Sequence, residues 1–200
     1  MKVLIIGGFL GSGKTSFILQ LLRYIIATSK SDKKYKVVVL ENEIGDVGVD
    51  DKTLAAGGFQ VETMFAGCAC CTSSDSVPSS LMTIQRELDP EWVVLEATGV
   101  AYPQNIRETV ATSTGFESRV SAVVDAKRWK RLLTPMAMLI STQLEGAETI
   151  VVNKKDLVDS ETMNEVLKSV GSYNGGAKLI PVSSVEQIDS GVFNTVLGLA

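Results

Sequence analysis

Short apolar runs alternate along the chain with segments whose apolar residues recur at helical spacing. Consecutive apolar positions are typical of parallel strands covered on both faces, and six such runs occur: 3–6, 37–40, 92–95, 120–124, 150–152 and 179–182. Helical stripes lie between them at 17–25, 81–88 and 163–170, and Gly171 is predicted to end the last. This alternation predicts an α/β fold, a doubly wound, mainly parallel sheet with helices on both faces, in one domain over residues 1–200.

Composition and charge exclude several classes of partner. The chain has 200 residues, of which 45% are hydrophobic, and a net charge of −4. A mildly acidic chain is a poor match for nucleic acid or an anionic membrane, so neither is predicted as a partner. Histidine is absent, which removes the commonest general base and metal ligand. The three cysteines stand within four residues of one another, which favours a reducing, cytoplasmic location over a secreted scaffold.

The segment between the first strand and the first helix matches a phosphate-binding loop. Its sequence, Gly8-Phe9-Leu10-Gly11-Ser12-Gly13-Lys14-Thr15, fits the pattern G-x-x-x-x-G-K-[ST] of P-loop NTPases. The glycines allow backbone N–H groups to surround a phosphate, the lysine reaches the β and γ oxygens, and the threonine offers its hydroxyl to magnesium. We therefore predict nucleotide contacts at Gly8, Gly11, Ser12, Gly13, Lys14, Thr15 and Ser16.

A second motif predicts which base is bound. Asn153-Lys154-Lys155-Asp156 directly follows the strand at 150–152, at the carboxyl end where α/β sheets bind ligands. A carboxylate accepts hydrogen bonds from the ring N–H and exocyclic amine of guanine, whereas adenine presents an acceptor there. The predicted base contacts are Asn153, Lys154 and Asp156, with Ser183, after the last strand, closing over the base.

Acidic residues after two strands predict the metal and water positions. Glu96 ends the strand at 92–95 and would hold magnesium through water, while the Gly99 amide would approach the γ-phosphate. In the acidic segment 41–50, Glu43 or Asp46 would orient the attacking water, and the sequence leaves that choice open. The alternative is a plain acidic connection. The predicted catalytic residues are Lys14, Glu43, Asp46 and Glu96.

Apart from Lys14, the sequence predicts no basic side chain at the phosphates. The segment 128–131 is interpreted as the exposed side of an amphipathic helix. Since no arginine is evident at the phosphates, turnover is expected to be slow and stimulated by a partner.

Cys68, Cys70 and Cys71 form the most unusual feature of the sequence. Thiolates bind zinc(II), cobalt(II) or copper(I), and three of them leave a tetrahedral ion one ligand short, which suits a site that releases its metal. Two alternatives stay open: three small buried side chains, or a redox pair, although no Cys-x-x-Cys spacing is present.

In this order the motifs resemble the CobW/HypB/UreG family of P-loop GTPases, especially its CobW-like branch. The matching segments are 8–15, 41–50, 67–71, 96–99, 124–126 and 153–156. The resemblance implies a GTP-gated metallochaperone, with the three cysteines as zinc or cobalt ligands and Glu96 at the magnesium. It also implies an acceptor metalloprotein or a corrinoid (cobalamin) enzyme as partner.

The chain departs from the family pattern in three ways. Thr142-Gln143 stands where the family has Asp-Gln, and the separate C-terminal domain and His-rich stretch of longer members are not found. The metal would then be held by three thiolates and a carboxylate, or shared between the subunits of a homodimer. Two other functions remain open: a GTP-dependent conformational switch that carries no metal, and a small-molecule kinase.

Overall fold

Seven strands form one parallel sheet in the part of the chain that is described. The computed structural model describes residues 1–41, 60–63 and 76–199. The strands are β1 (Lys2–Gly7), β2 (Val37–Glu41), β3 (Gln60–Thr63), β4 (Trp92–Glu96), β5 (Ser118–Asp125), β6 (Thr149–Asn153) and β7 (Lys178–Pro181). Their order is β3-β2-β4-β1-β5-β6-β7, and each neighbouring pair is parallel. The predicted α/β fold is confirmed.

Helices cover both faces of this sheet. They are α1 (Lys14–Thr28), α2 (Ser76–Glu87), α3 (Pro103–Thr114), α4 (Trp129–Leu133), α5 (Ala137–Leu144), α6 (Ser160–Tyr173) and α7 (Ser190–Leu197), with a 3₁₀ turn at Lys155–Leu157. Val3 and Ile5 of β1 pack with the apolar residues of α2, α3, α5 and α6, whereas Leu4 and Ile6 pack with those of α1 and α7. Successive side chains of a strand point to opposite faces, so two covered faces require the uninterrupted apolar runs seen in the sequence.

Several elements differ from the sequence prediction. The short edge strand β3 and the helices α3, α5 and α7 were not predicted, and α6 continues past Gly171 to Tyr173. A Cβ at Gly171 would lie 3.4 Å from Leu179 Cδ1, so the glycine allows α6 to approach β7 closely without ending the helix. The interpretation of 128–131 as an exposed face is wrong for Trp129, which is buried and donates its indole N–H to Ser169 Oγ. No helix of the described ranges is long and apolar enough to cross a membrane.

The strand register gathers the polar motif residues at one edge of the sheet. Glu41 pairs with Glu96, and Glu41 also pairs with Thr63, so β2, β3 and β4 end together. Asp125 pairs with Asn153 at the ends of β5 and β6. The central strand β1 lies between β4 and β5, where the chain changes its direction of winding. Ligands of open α/β sheets bind at such a switch point, outside the carboxyl ends of the strands.

Candidate nucleotide-binding site

The loop between β1 and α1 leaves backbone amides available to an anion. Gly8 has φ 136° and Gly13 has φ 92°, conformations that L side chains rarely adopt, and a Cβ at Gly8 would lie 2.2 Å from Val123 O. Helix α1 begins at Lys14 with Gly13 as its N-cap, and no side chain caps its first amides. Uncapped amides and the positive end of the helix dipole are the elements of a phosphate site.

Lys14 lies inside this loop. Its side chain is buried, with the residue 4% exposed, and Nζ donates to Gly8 O at 2.9 Å and to Phe9 O at 3.4 Å. An ammonium group taken out of water needs polar partners, and the loop carbonyls supply some of them. The positive charge is therefore held against the first two carbonyls of the loop, and its predicted contact with the phosphate oxygens stays a prediction.

The structure brings Thr15 and Glu96 together. Thr15 Oγ1 donates to Glu96 Oε1 at 3.1 Å, although 81 positions separate the two residues. Glu96 is buried at the end of β4, which neighbours β1. A hydroxyl and a carboxylate side by side are the oxygen ligands that magnesium prefers. This donor set fits the magnesium ion that the phosphate-binding loop implies.

Gly99 lies directly against the phosphate-binding loop. A Cβ at Gly99 would lie 2.9 Å from Leu10 N, so only glycine allows the two backbones to come this close. Gln143 of α5 is buried and donates from Nε2 to Gly99 O at 2.6 Å. Thr142, where the family pattern has Asp, bonds only to carbonyls of its own helix among the described residues. Gln143, which matches the family pattern, is therefore the residue of this pair that contacts the site.

Asn153 joins three segments of the site. Its Nδ2 donates to Ser12 O at 2.9 Å, and its Oδ1 accepts from Lys154 N at 2.8 Å and from Ser184 N at 2.9 Å. A Cβ at Gly13 would lie 2.3 Å from Asn153 Nδ2, so this contact also depends on the glycine. The predicted base motif and the predicted phosphate-binding loop are therefore in direct contact.

The rest of the base motif continues from Asn153. Lys154 has φ 65°, an uncommon value for a residue with a side chain, and its Nζ donates to Gly11 O at 2.7 Å. The turn places Asp156 in the 3₁₀ segment with an exposed carboxylate, which accepts no hydrogen bond from the described part of the chain. Ser183 is buried, and its hydroxyl has no partner among the described residues. Ser16 is exposed in the first turn of α1.

Asp125 and Arg128 belong to the site, although the sequence analysis gave neither of them a role. Asp125 Oδ2 accepts hydrogen bonds from Lys154 Nζ and Arg128 Nε, both at 2.7 Å. Arg128 Nη2 in turn donates to Leu10 O at 2.7 Å. Arg128 therefore contacts the backbone of the phosphate-binding loop from outside, and the expectation that no arginine reaches the phosphates themselves stays a prediction. A charged pair at i and i+3 beyond a strand end is the only signal in the sequence that could have suggested this contact.

The environment of Asp125 lowers its pKa. Burial of the carboxylate acts to raise the pKa, but side-chain hydrogen bonds from Lys154 and Arg128 and the backbone amide of Arg128 outweigh it. The side chain is only 1% exposed, so both cations are held by a group that water scarcely reaches.

This lowered pKa predicts how the free energy of unfolding depends on pH. A carboxylate whose pKa is depressed in the folded state stabilises the protein above the ordinary aspartate value of 3.8 and loses this effect as the pH falls through the folded value. We expect Asp125→Asn to reduce the free energy of unfolding by about 1–3 kcal/mol at pH 7. Urea unfolding of both proteins between pH 7 and pH 3 should show the difference constant down to about pH 5 and shrinking below about pH 4. A difference that stays constant to pH 3 would contradict the prediction.

Five predicted site residues lie outside the described residues: Glu43, Asp46, Cys68, Cys70 and Cys71. Their roles stay predictions. Within the described ranges, no group of three or more cysteines or carboxylates is arranged to hold a metal ion.

The fold and the site define a P-loop nucleotide-binding domain. Residues 2–181 match the nucleotide-binding domain of the CobW/HypB/UreG family, and the chain belongs to this family. The zinc chaperone YeiR of Escherichia coli is 31% identical over 92% of this chain and 56% of its own length. The zinc-regulated GTPase metalloprotein activator 1 of Schizosaccharomyces pombe is 31% identical over 90% of this chain and 45% of its own length. The chain thus spans about half the length of these relatives.

A solved structure shows the same fold. The hydrogenase maturation factor HypB from Archaeoglobus fulgidus superposes with a TM-score of 0.68, at 16% identity, and the match covers all of this chain and 90% of that one. At this identity the likeness supports the arrangement of strands and helices and nothing finer.

Proposed function

We propose that the protein binds GTP, hydrolyses it to GDP and phosphate, and uses the nucleotide state to control a metal held by Cys68, Cys70 and Cys71. The observation that carries the nucleotide part is the contact between the two motifs. Asn153 and Lys154 bond to consecutive carbonyls of the phosphate-binding loop, at Ser12 and Gly11. A base recognised beyond Lys154 and a phosphate chain in the loop would therefore occupy one continuous site.

The described residues have distinct roles in the proposed hydrolysis. Lys14 would move its ammonium group from the loop carbonyls to the β and γ oxygens and stabilise the charge that develops there. Thr15 and Glu96 would hold magnesium, which when bound neutralises phosphate charge. The Gly99 amide would approach the γ-phosphate, because Gly99 already touches Leu10. Glu43 or Asp46 would orient the attacking water.

The metal part of the proposal rests on the cysteine motif, the family and the course of the chain. Thr63, the last residue of β3, pairs with Glu41, which pairs with Glu96. The chain therefore leaves β3 at the edge of the sheet that carries the magnesium ligands. Five peptide units separate Thr63 from Cys68, so the distance between their Cα atoms is at most about 19 Å. Because the two relatives above are named for zinc, zinc is the metal that we propose first.

The remaining parts of the proposal concern partners and setting. The metal would pass to an acceptor metalloprotein, and cobalt with a corrinoid enzyme is the alternative. Three thiolates leave a fourth ligand place, which a carboxylate of the same chain or a second copy in a homodimer would fill. We place this single nucleotide-binding domain, residues 1–200, in the cytoplasm, since the adjacent cysteines suit a reducing compartment.

Two measurements on the unmodified protein test this function. Phosphate release from GTP without an added acceptor should be steady and slow, whereas release that requires a small-molecule acceptor would indicate a kinase. Zinc affinity should be submicromolar and should differ between GDP and a non-hydrolysable GTP analogue. By reciprocal linkage, zinc must then change the analogue affinity relative to GDP by the same factor. Hydrolysis without zinc binding would indicate a conformational switch that carries no metal.

A further inference from the structure

Three consecutive carbonyl groups of the phosphate-binding loop are capped by side chains from outside the loop. Arg128 Nη2 donates to Leu10 O at 2.7 Å, Lys154 Nζ to Gly11 O at 2.7 Å, and Asn153 Nδ2 to Ser12 O at 2.9 Å. In a trans peptide the carbonyl and the following N–H point in opposite directions. Each cap therefore sets the direction of the next amide, at Gly11, Ser12 and Gly13.

The amides fixed in this way differ in whether their N–H group can still donate a hydrogen bond to a ligand. Ser12 N already donates to Phe9 O at 3.1 Å. Because Leu10 O accepts from the Arg128 guanidinium, the Gly11 N–H points away from that guanidinium. Arg128 thus fixes the orientation of the Gly11 N–H, and backbone N–H groups of phosphate-binding loops donate to phosphate oxygens.

A single carboxylate holds two of the three caps. Asp125 Oδ2 accepts from both Lys154 Nζ and Arg128 Nε, and Asp125 Oδ1 accepts from Arg128 N at 3.1 Å. The carboxylate is almost completely buried, with its side chain 1% exposed. Buried hydrogen bonds to charged groups have defined geometry, so the positions of Lys154 and Arg128 depend on each other through this carboxylate.

The geometry at Arg128 requires an arginine. Nε bonds to Asp125 and Nη2 bonds to Leu10 O, so two donors of one rigid guanidinium connect the carboxylate with the loop. The guanidinium also lies against the turn at Gly11, where a Cβ would be 3.0 Å from Nη2. A lysine would keep the charge but has only one nitrogen for both contacts.

We propose that Arg128 and Asp125 are positioning residues of the nucleotide site. Arg128 holds the peptide between Leu10 and Gly11 so that the Gly11 amide faces the bound β- and γ-phosphates. Asp125 couples this peptide to Lys154 of the base motif, so that the phosphate and base parts of the site are set together. This inference rests on the proposed nucleotide function.

The test compares four single variants and one double variant of the full chain by their affinity for GDP and for xanthosine diphosphate in the presence of magnesium. Arg128→Ala should weaken GDP binding about tenfold, the effect of losing a charge-assisted hydrogen bond that orders the loop. Xanthosine diphosphate, however weakly it binds, should also lose affinity, because it carries the same diphosphate. Arg128→Lys should recover less than half of the loss. Arg131→Ala, a matched exposed arginine of α4, should stay within about twofold of the parent.

The fourth variant tests the coupling through Asp125. Asp125→Asn should weaken GDP binding at least as much as Arg128→Ala does. Adding Arg128→Ala to Asp125→Asn should then cost less than about threefold, because the guanidinium has already lost its anchor. Arg128→Ala should also lower the thermal stability, because the buried Asp125 carboxylate loses a partner. GDP affinity is therefore measured at a temperature at which every variant is fully folded, and a folded Arg128→Ala protein that binds GDP about tenfold more weakly is a result that a purely structural role would not give.

Two results would overturn the inference: GDP affinity of Arg128→Ala within twofold of the parent, or an equal loss in Arg131→Ala. If the parent protein itself binds no guanine nucleotide, the proposed function fails first, and this outcome is distinct from the others.

Discussion

Replacing Asp156 by Asn is expected to lower the affinity for GTP by at least about 100-fold, because the site would lose the acceptor pair that matches guanine. Asp156 follows the fixed pair Asn153 and Lys154 in a 3₁₀ turn, with its carboxylate exposed to an incoming ligand. A carboxylate accepts from both the ring N–H and the amine of guanine, whereas an amide places a donor opposite one of them. Xanthine has a carbonyl where guanine has the amine, so the same variant should gain affinity for xanthosine triphosphate.

The measurement is the ratio of GTP to xanthosine triphosphate affinity in the parent and in Asp156→Asn. Asp159→Asn is the matched control, because it removes the same charge three positions along the chain. Asp159 caps α6 by accepting from Thr162 N at 2.7 Å, and an asparagine oxygen can accept the same bond, so this variant should leave the helix cap and the ratio unchanged. Unaltered GTP binding in Asp156→Asn would show that the base is not guanine.

The fold could be predicted from the sequence because both faces of the sheet are covered. The run at 3–6 packs on two separate cores, with Val3 on one side and Leu4 on the other, and this leaves a continuous apolar run as its signature. β3 carries no such signature, because Gln60 to Thr63 is a four-residue edge strand with polar residues. Helix α3 buries only Pro103, Ile106 and Val110, too few for a recognisable stripe.

The candidate site could be predicted where a local motif carries the chemistry. The meeting of Thr15 and Glu96 follows from a general rule, since residues at the carboxyl ends of neighbouring parallel strands lie close together. Arg128 could not be found this way. Its contact with Leu10 joins residues 118 positions apart, and a basic residue near a tryptophan is most often on a solvated helix face. A role that arises only from tertiary packing leaves no pattern in the surrounding sequence.

The cysteine motif gives the second large effect that we expect. Replacing Cys70 and Cys71 together by Ser should abolish zinc binding, because a hydroxyl does not replace a thiolate as a ligand and one cysteine cannot hold the ion. GTP affinity should stay within a few-fold of the parent. The residues that contact the loop and the base motif, Lys14, Asn153 and Lys154, all lie in other segments. Thr72→Ser, in the same segment, should bind zinc as the parent does.

Protons and nucleotide should both influence this site if the thiols hold a metal. Thiolates bind metal only after deprotonation, so zinc uptake by the apo protein should release protons and become tighter as the pH rises toward ordinary thiol pKa values of about 8.5. The chain reaches the cysteines from Thr63, at the sheet edge that carries Glu96, and Gly99 follows three residues after that carboxylate. Loss of the γ-phosphate should shift segments that contact it, as it does in other GTPase switches. Thiol reactivity and zinc affinity should therefore differ between the GTP-analogue and GDP states, and equal values in both would show that the cysteines are not controlled by the nucleotide.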